Sequence, residues 1–156
     1  MSMNCYRTAC FLSFLLLLSL MALSLSLFAQ NPQQRQNTAR AALQSEMVQE
    51  GKDCRDAKSQ FALNVCIEQV RGVSQHDFDI FYENLFSLLA PDPANQKALQ
   101  TAQEQWLTYR ALSCAAIDDL YRGGTIRPSA VTRCEIQLTR SRMRDLDSLY
   151  QTVLHL

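Results

Sequence analysis

From residue 59 onward the apolar positions recur at helical rather than strand spacing. Phe61, Leu63, Val65, Ile67 and Val70 lead on toward Phe78, Phe81, Leu85 and Leu88, and Ser59 stands where an N-terminal cap belongs. Gly72 interrupts this run. Ser74 and Asp77, spaced as in a capping box, predict a restart and hence two shorter helices. APDPANQ, residues 90 to 96, predicts a turn. A second strong helix is predicted from about Gln96 to Tyr121, stopping at Gly123-Gly124, and a third from about Pro128 to Leu154. Upstream, Thr38 to Glu50 has good helix formers but a thin apolar face of Ala39, Leu43 and Met47, which supports only a short helix. No segment of this core alternates as a strand does. The predicted class is all-α: an antiparallel bundle of three main helices with a short fourth at its N-terminal side.

Within the second helix, Leu99, Gln103, Trp106, Arg110, Cys114, Ile117 and Tyr121 fall on one narrow stripe. An arginine and a glutamine thus lie among residues that should be buried. The indole is expected to fill the bundle interior. Arg110, one turn away, is expected to stack on it or to pair with an acid, Asp77 or Asp79 being the candidates. Gln103, Trp106 and Arg110 are therefore read as structural core, not as a reaction centre.

The N-terminal pattern is different. An apolar run from Phe11 to Phe28 follows Arg7, the one charge before Ala29, and predicts a secretory signal peptide over residues 1–29. An uncleaved anchor is the alternative. Cys10 lacks the upstream aliphatic residue of a lipoprotein processing site. Residues 30–50 then read as a polar tether leading into the short helix, and 51–156 as one helical domain. Cleavage removes Cys5 and Cys10 and leaves Cys54, Cys66, Cys114 and Cys134. An even number in an exported chain predicts disulfides. Cys114 lies nine residues before Gly123 and Cys134 ten after Gly124, so a tight turn brings them to one height. That bridge should stabilise by about 3 kcal/mol in the chain-entropy model. By exclusion Cys54 pairs with Cys66. Without a C-x-x-C pair, and with His76 and His155 in no ligand pattern, no metal is expected.

Past residue 29 the chain carries 14 basic and 15 acidic side chains. This balance points away from nucleic acid and from an anionic membrane surface. Asp118 and Asp119 are neighbours on a helix and point about 100° apart, so they do not make a facing acid/base pair. No catalytic or phosphate-binding motif occurs, and no cofactor is expected. The turn DLYRGGTIRP, residues 119 to 128, is the candidate for partner binding through Asp119, Tyr121, Arg122, Gly123, Gly124, Ile126 and Arg127. Its alternative role is simply to end a helix.

Four motifs in order resemble one family, the LprI-type lysozyme inhibitors. They are CRDAKSQFALNVC (Cys54, Ser59, Gln60, Asn64, Cys66), AQEQWLTYRALSC, the GGT after it, and CEIQLTRSR. One departure stands out: where the family carries D-x-x-L-N-x-x-Y, this chain has Asp77 followed by Ile80, Phe81 and Asn84. The resemblance implies a small helical protein of the bacterial envelope, periplasmic once exported and free of the membrane once cleaved, that binds lysozyme and blocks its cleft. The alternative is a non-inhibitory interaction module, an immunity or assembly partner of another envelope protein. Many lysozymes are cationic, so a complex with this balanced chain would draw on local acids such as Asp118 and Asp119.

Overall fold

The hydroxyl of Ser59 accepts from the Ala62 backbone N–H at 3.1 Å and starts the longest helix. In the computed structural model, which describes residues 31–155, the chain forms four long helices and one further turn. They are α1 (Pro32–Gln49), α2 (Gln60–Leu88), α3 (Pro93–Leu120), α4 (Arg127–Leu149) and α5 (Gln151–Leu154). Asp92 caps α3 through the Asn95 N–H, with Pro93 in the first turn where a missing donor costs nothing. Among the described residues there is no strand and no helix long and apolar enough to cross a membrane. Residues 1–30 lie outside the described part, and with them the expected signal peptide, Cys5 and Cys10.

Side-chain pairs fix the directions. Gln60 meets Ser129, Glu68 meets Thr132 and Arg71 meets Glu135, so α2 and α4 run the same way. Arg110 to Thr139 and Gln103 to Arg142 set α3 antiparallel to α4. Gln36 to Val153 and Glu46 to Arg140 do the same for α1. α1 lies chiefly along α2, and α3 chiefly along α4. The all-α, disulfide-bonded class is as the sequence predicts, with both bridges present: Cys54–Cys66 and Cys114–Cys134, Cα separations 5.9 and 5.7 Å.

Three elements differ from the sequence pattern. The helix restart at Ser74 does not occur, and α2 runs unbroken through Gly72. A helical glycine costs about 1 kcal/mol relative to alanine, too little to break a helix packed along its length. Ser74 is buried inside α2 rather than capping anything. The N-terminal helix is also longer than expected, since residues 32–37 of the expected tether are its first two turns. Its buried face is Gln36, Ala39, Ala42 and Glu46, half of it polar, which is why apolar periodicity understated it. Finally, the last helix breaks at Tyr150, after which the turn of α5 drops Leu154 into the core.

That core is lopsided. Phe78, Phe81, Leu85, Leu89, Leu99, Met143, Leu146 and Leu154, with Ala39 and Ala42, form one cluster around the Leu89–Asp92 turn. Both disulfides lie toward the opposite end, where Ile67, Cys114 and Ile136 are the buried apolar residues outside the cluster.

Gly72 is exposed, and a Cβ there would meet nothing within 4 Å. Gly72→Ala should therefore raise unfolding free energy by about 0.5–1 kcal/mol, read as a higher urea midpoint at unchanged slope. A lower midpoint would mean that the position is needed as a flexible joint.

Candidate functional site

The four ends that meet at the disulfide-bearing pole are the C-termini of α1 and α3 and the N-termini of α2 and α4. The two connections there are built differently. The first, residues 50–59, is a series of turns closed by Cys54–Cys66. Cys54 itself adopts φ +56°, in the left-handed region that a residue with a Cβ seldom occupies. The segment is held down by more than its disulfide. Arg140, on α4, is buried with 3% of its side chain exposed. Its Nε donates to Glu46 of α1 at 2.7 Å, and its Nη1 and Nη2 both donate to Asp53 of the segment, the second at 3.2 Å. Burial alone would lower the guanidinium's pKa, but the hydrogen bonds to Asp53 and Glu46 outweigh it and hold the value above the ordinary one. One cation thus ties α1, the segment and α4 together. Sequence reading missed this: Glu46 lay in a helix of weak pattern, and nothing in TRSR distinguishes Arg140 from Arg142.

The second connection is the turn proposed for partner binding. α3 ends at Leu120, and Gly123 takes φ +83°, a conformation that favours glycine. Tyr121, Arg122, Gly123, Gly124, Ile126 and Arg127 are all exposed, as is Asp119. Its two arginines are not free: Arg122 pairs with Asp119, and Arg127 grips both oxygens of Asp118. The hydrogen bond from Arg127 holds the Asp118 carboxyl below the usual carboxylate range. The turn therefore presents paired charges beside exposed apolar side chains. Leu120 is 72% exposed and Ile126 46%, and exposed Leu112 lies two turns back along α3. Across the same pole, Phe61 at the start of α2 is 79% exposed. Gln60 spans the gap, donating to Ser129 at 3.0 Å and to Asn64 at 2.8 Å.

Gln103, Trp106 and Arg110 sit at mid-height in a polar lattice. Gln103 is buried and accepts from Arg142 Nε at 3.2 Å. The Trp106 ring stacks on Phe78 with centroids 5.6 Å apart. Arg110 and Arg142 approach that ring to 4.9 and 5.9 Å. Both guanidinium groups are lowered in pKa, chiefly by burial. The acid expected to meet Arg110 does not do so directly. Its Nη1 donates instead to Gln75 Oε1 and Thr139 Oγ1, each at 2.9 Å, and Gln75 in turn donates to Asp79 at 2.7 Å. Asp77 is no partner, and its buried Oδ2 meets no donor among the described residues. Arg110 is half-buried, so neutral acceptors and a ring face suffice in place of a countercharge.

A cavity of about 660 Å³ opens between the 50–59 segment, the first turns of α2 and the middle of α4. Leu63, Ile67 and Ile136 line it, together with Arg55, Lys58 and Arg133.

The model of the lysozyme inhibitor LprI family matches residues 52–146. The chain belongs to the LprI lysozyme inhibitor family. It is also 30% identical over 111 residues to an uncharacterized protein, R02472, of Rhizobium meliloti (strain 1021), a match covering 64% of this chain and 80% of the relative. No solved structure matches it. Against the structure, the family-like residues sort by height in the bundle. Ser59, Gln60 and Asn64 organise the start of α2, and Gln103, Trp106, Arg110, Thr139 and Arg142 form the lattice between α3 and α4. The departure at Ile80, Phe81 and Asn84 is interior, Phe81 and Asn84 being buried and Ile80 half-buried.

Arg140→Met should cost about 3–5 kcal/mol, because it strands two carboxylates, one of them 1% exposed. Adding Glu46→Gln and Asp53→Asn to that variant should recover part of the loss in a denaturant titration. No recovery would mean that Arg140 acts by shape rather than charge.

Proposed function

We propose that this protein is an exported inhibitor of lysozyme that covers the enzyme's substrate cleft with the disulfide-bearing pole of its bundle and does no chemistry of its own. The observation that carries the reading is the family match together with an exposed turn, carrying Leu120, Tyr121 and Ile126 beside paired charges, on a base pinned by Cys114–Cys134. A turn held at its base loses little freedom on docking, which leaves more of the contact energy as affinity. Tyr121, Arg122, Ile126 and Arg127 form the contact, with Leu120 extending it. The leader at residues 1–29 takes the chain across the inner membrane into the periplasm, where both disulfides are stable. The alternative of a non-inhibitory module draws on the departure from the family's pattern in α2 and on the balanced charge of the chain. With Phe81 and Asn84 buried, that departure alters packing rather than a contact surface, and the inhibitor reading is preferred.

Cell-wall lysis by several lysozymes, measured with increasing purified protein, is the test. Slowing is expected at micromolar concentrations for at least one of them, and its absence for all would overturn the assignment. Replacing Tyr121, Arg122, Ile126 and Arg127 by alanine should weaken inhibition at least tenfold, with helical circular dichroism and melting temperature nearly unchanged. Full inhibition by that variant would move the contact elsewhere on the pole.

A further inference from the structure

The cavity beside the 50–59 segment carries a charge imbalance that the fold does not use. Two acids line it, Glu50 and Asp53, and both are taken, by Arg144 and Arg140 respectively. Arg140 is itself fully engaged. Three further cations on the lining, Arg55, Lys58 and Arg133, pair with no acid among the described residues, and all three are exposed. They come from two walls, Arg55 and Lys58 from the segment and Arg133 from α4. Leu63, Ile67 and Ile136 lie between. The volume of about 660 Å³ is that of a ligand pocket, which usually holds about 300–1,000 Å³. The segment wall is fixed covalently at Cys54 and electrostatically at Asp53, so the cavity is formed before anything enters it.

We propose that this cavity is a binding site for a short acidic peptide, a chain carrying at least two carboxylates separated by an apolar residue. Cations on two walls call for two negative groups held apart, and the aliphatic floor calls for something apolar between them. Inorganic phosphate is compact and offers no apolar part. A nucleotide base would want a ring to stack on, and no aromatic lines the cavity. Gln137, also on the lining, offers its amide to a peptide backbone, and Gln60, whose N–H groups are used on Ser129 and Asn64, offers its carbonyl oxygen. The site is distinct from the turn assigned to lysozyme, since no residue of 119–128 lines it.

Fluorescence anisotropy with the oxidised protein tests this. The probe is a labelled tetrapeptide alternating glutamate with leucine, compared with its glutamine counterpart. The glutamate peptide should bind at least tenfold more tightly, and its affinity should fall as salt rises. Arg133→Glu, and Arg55→Glu with Lys58→Glu, should each weaken binding at least tenfold. Arg133→Gln should give a smaller loss in the same direction. Arg40→Glu, on the exposed side of α1 and outside the cavity, should change it less than twofold. Equal affinity for the two peptides, a loss at Arg133 no larger than at Arg40, or displacement of the peptide by equimolar inorganic phosphate would overturn the proposal.

Discussion

A guanidinium that cannot give up its proton has been placed inside this bundle, and much of the surrounding structure answers to it. Arg140 needs carboxylates, and the two it finds come from segments that are remote along the chain, Glu46 of α1 and Asp53 of the turn segment after it. A lone buried charge would cost several kcal/mol. The fold is therefore constrained to bring the end of α1 and the following turns against α4 together. This accounts for two features that otherwise look unfavourable. α1 buries a glutamate on a face that apolar residues would normally fill. Cys54 accepts a left-handed backbone, since its neighbour Asp53 must face Arg140 while its own sulfur reaches Cys66.

The two halves of the molecule are stabilised by different means. Around the Leu89–Asp92 turn, burial of Phe78, Phe81, Leu85, Met143 and Leu146 does the work, with the Phe78, Tyr82 and Trp106 rings stacked at its flank. Toward the other pole the apolar cluster runs out, and covalent bridges, the Arg140 pairs and the Gln60–Ser129 bond take over. Between them lies the polar lattice of Gln103, Arg110, Thr139 and Arg142 around Trp106. The lattice gives α3 a fixed height on α4 that apolar packing alone would specify less sharply, because apolar contacts are non-directional whereas each of these hydrogen bonds has one geometry. Apolar side chains can accordingly stay exposed at the pole without collapsing inward.

How much of this could be read from the sequence depends on whether a feature is local. The stripe on α3 from Leu99 to Cys114, the cap at Ser59 and the bridging of Cys114 to Cys134 across a glycine turn all rest on short spacings and are present as expected, whereas α3 starts three residues earlier than its pattern suggests, at Pro93 behind the Asp92 cap. Gly72 misled because a local breaker was weighed without the packing that overrides it. α1 was understated because its buried face is half polar, which apolar periodicity does not register. Of the two partners expected for Arg110, the indole face is present, while in place of an acid the structure supplies an amide and a hydroxyl. Arg140 and the cavity beside it were not legible at all. They exist only through contacts between residues about 90 positions apart.

The uneven distribution of stabilisation has a consequence for when the molecule becomes competent. The apolar half contains no cysteine, so the burial of Phe81 and Leu85 does not depend on either disulfide. The pole with its two connections is different, because its shape is completed only when two sulfur pairs have closed. Oxidation then acts as a maturation step, because this pole takes its final shape only once both bridges have formed.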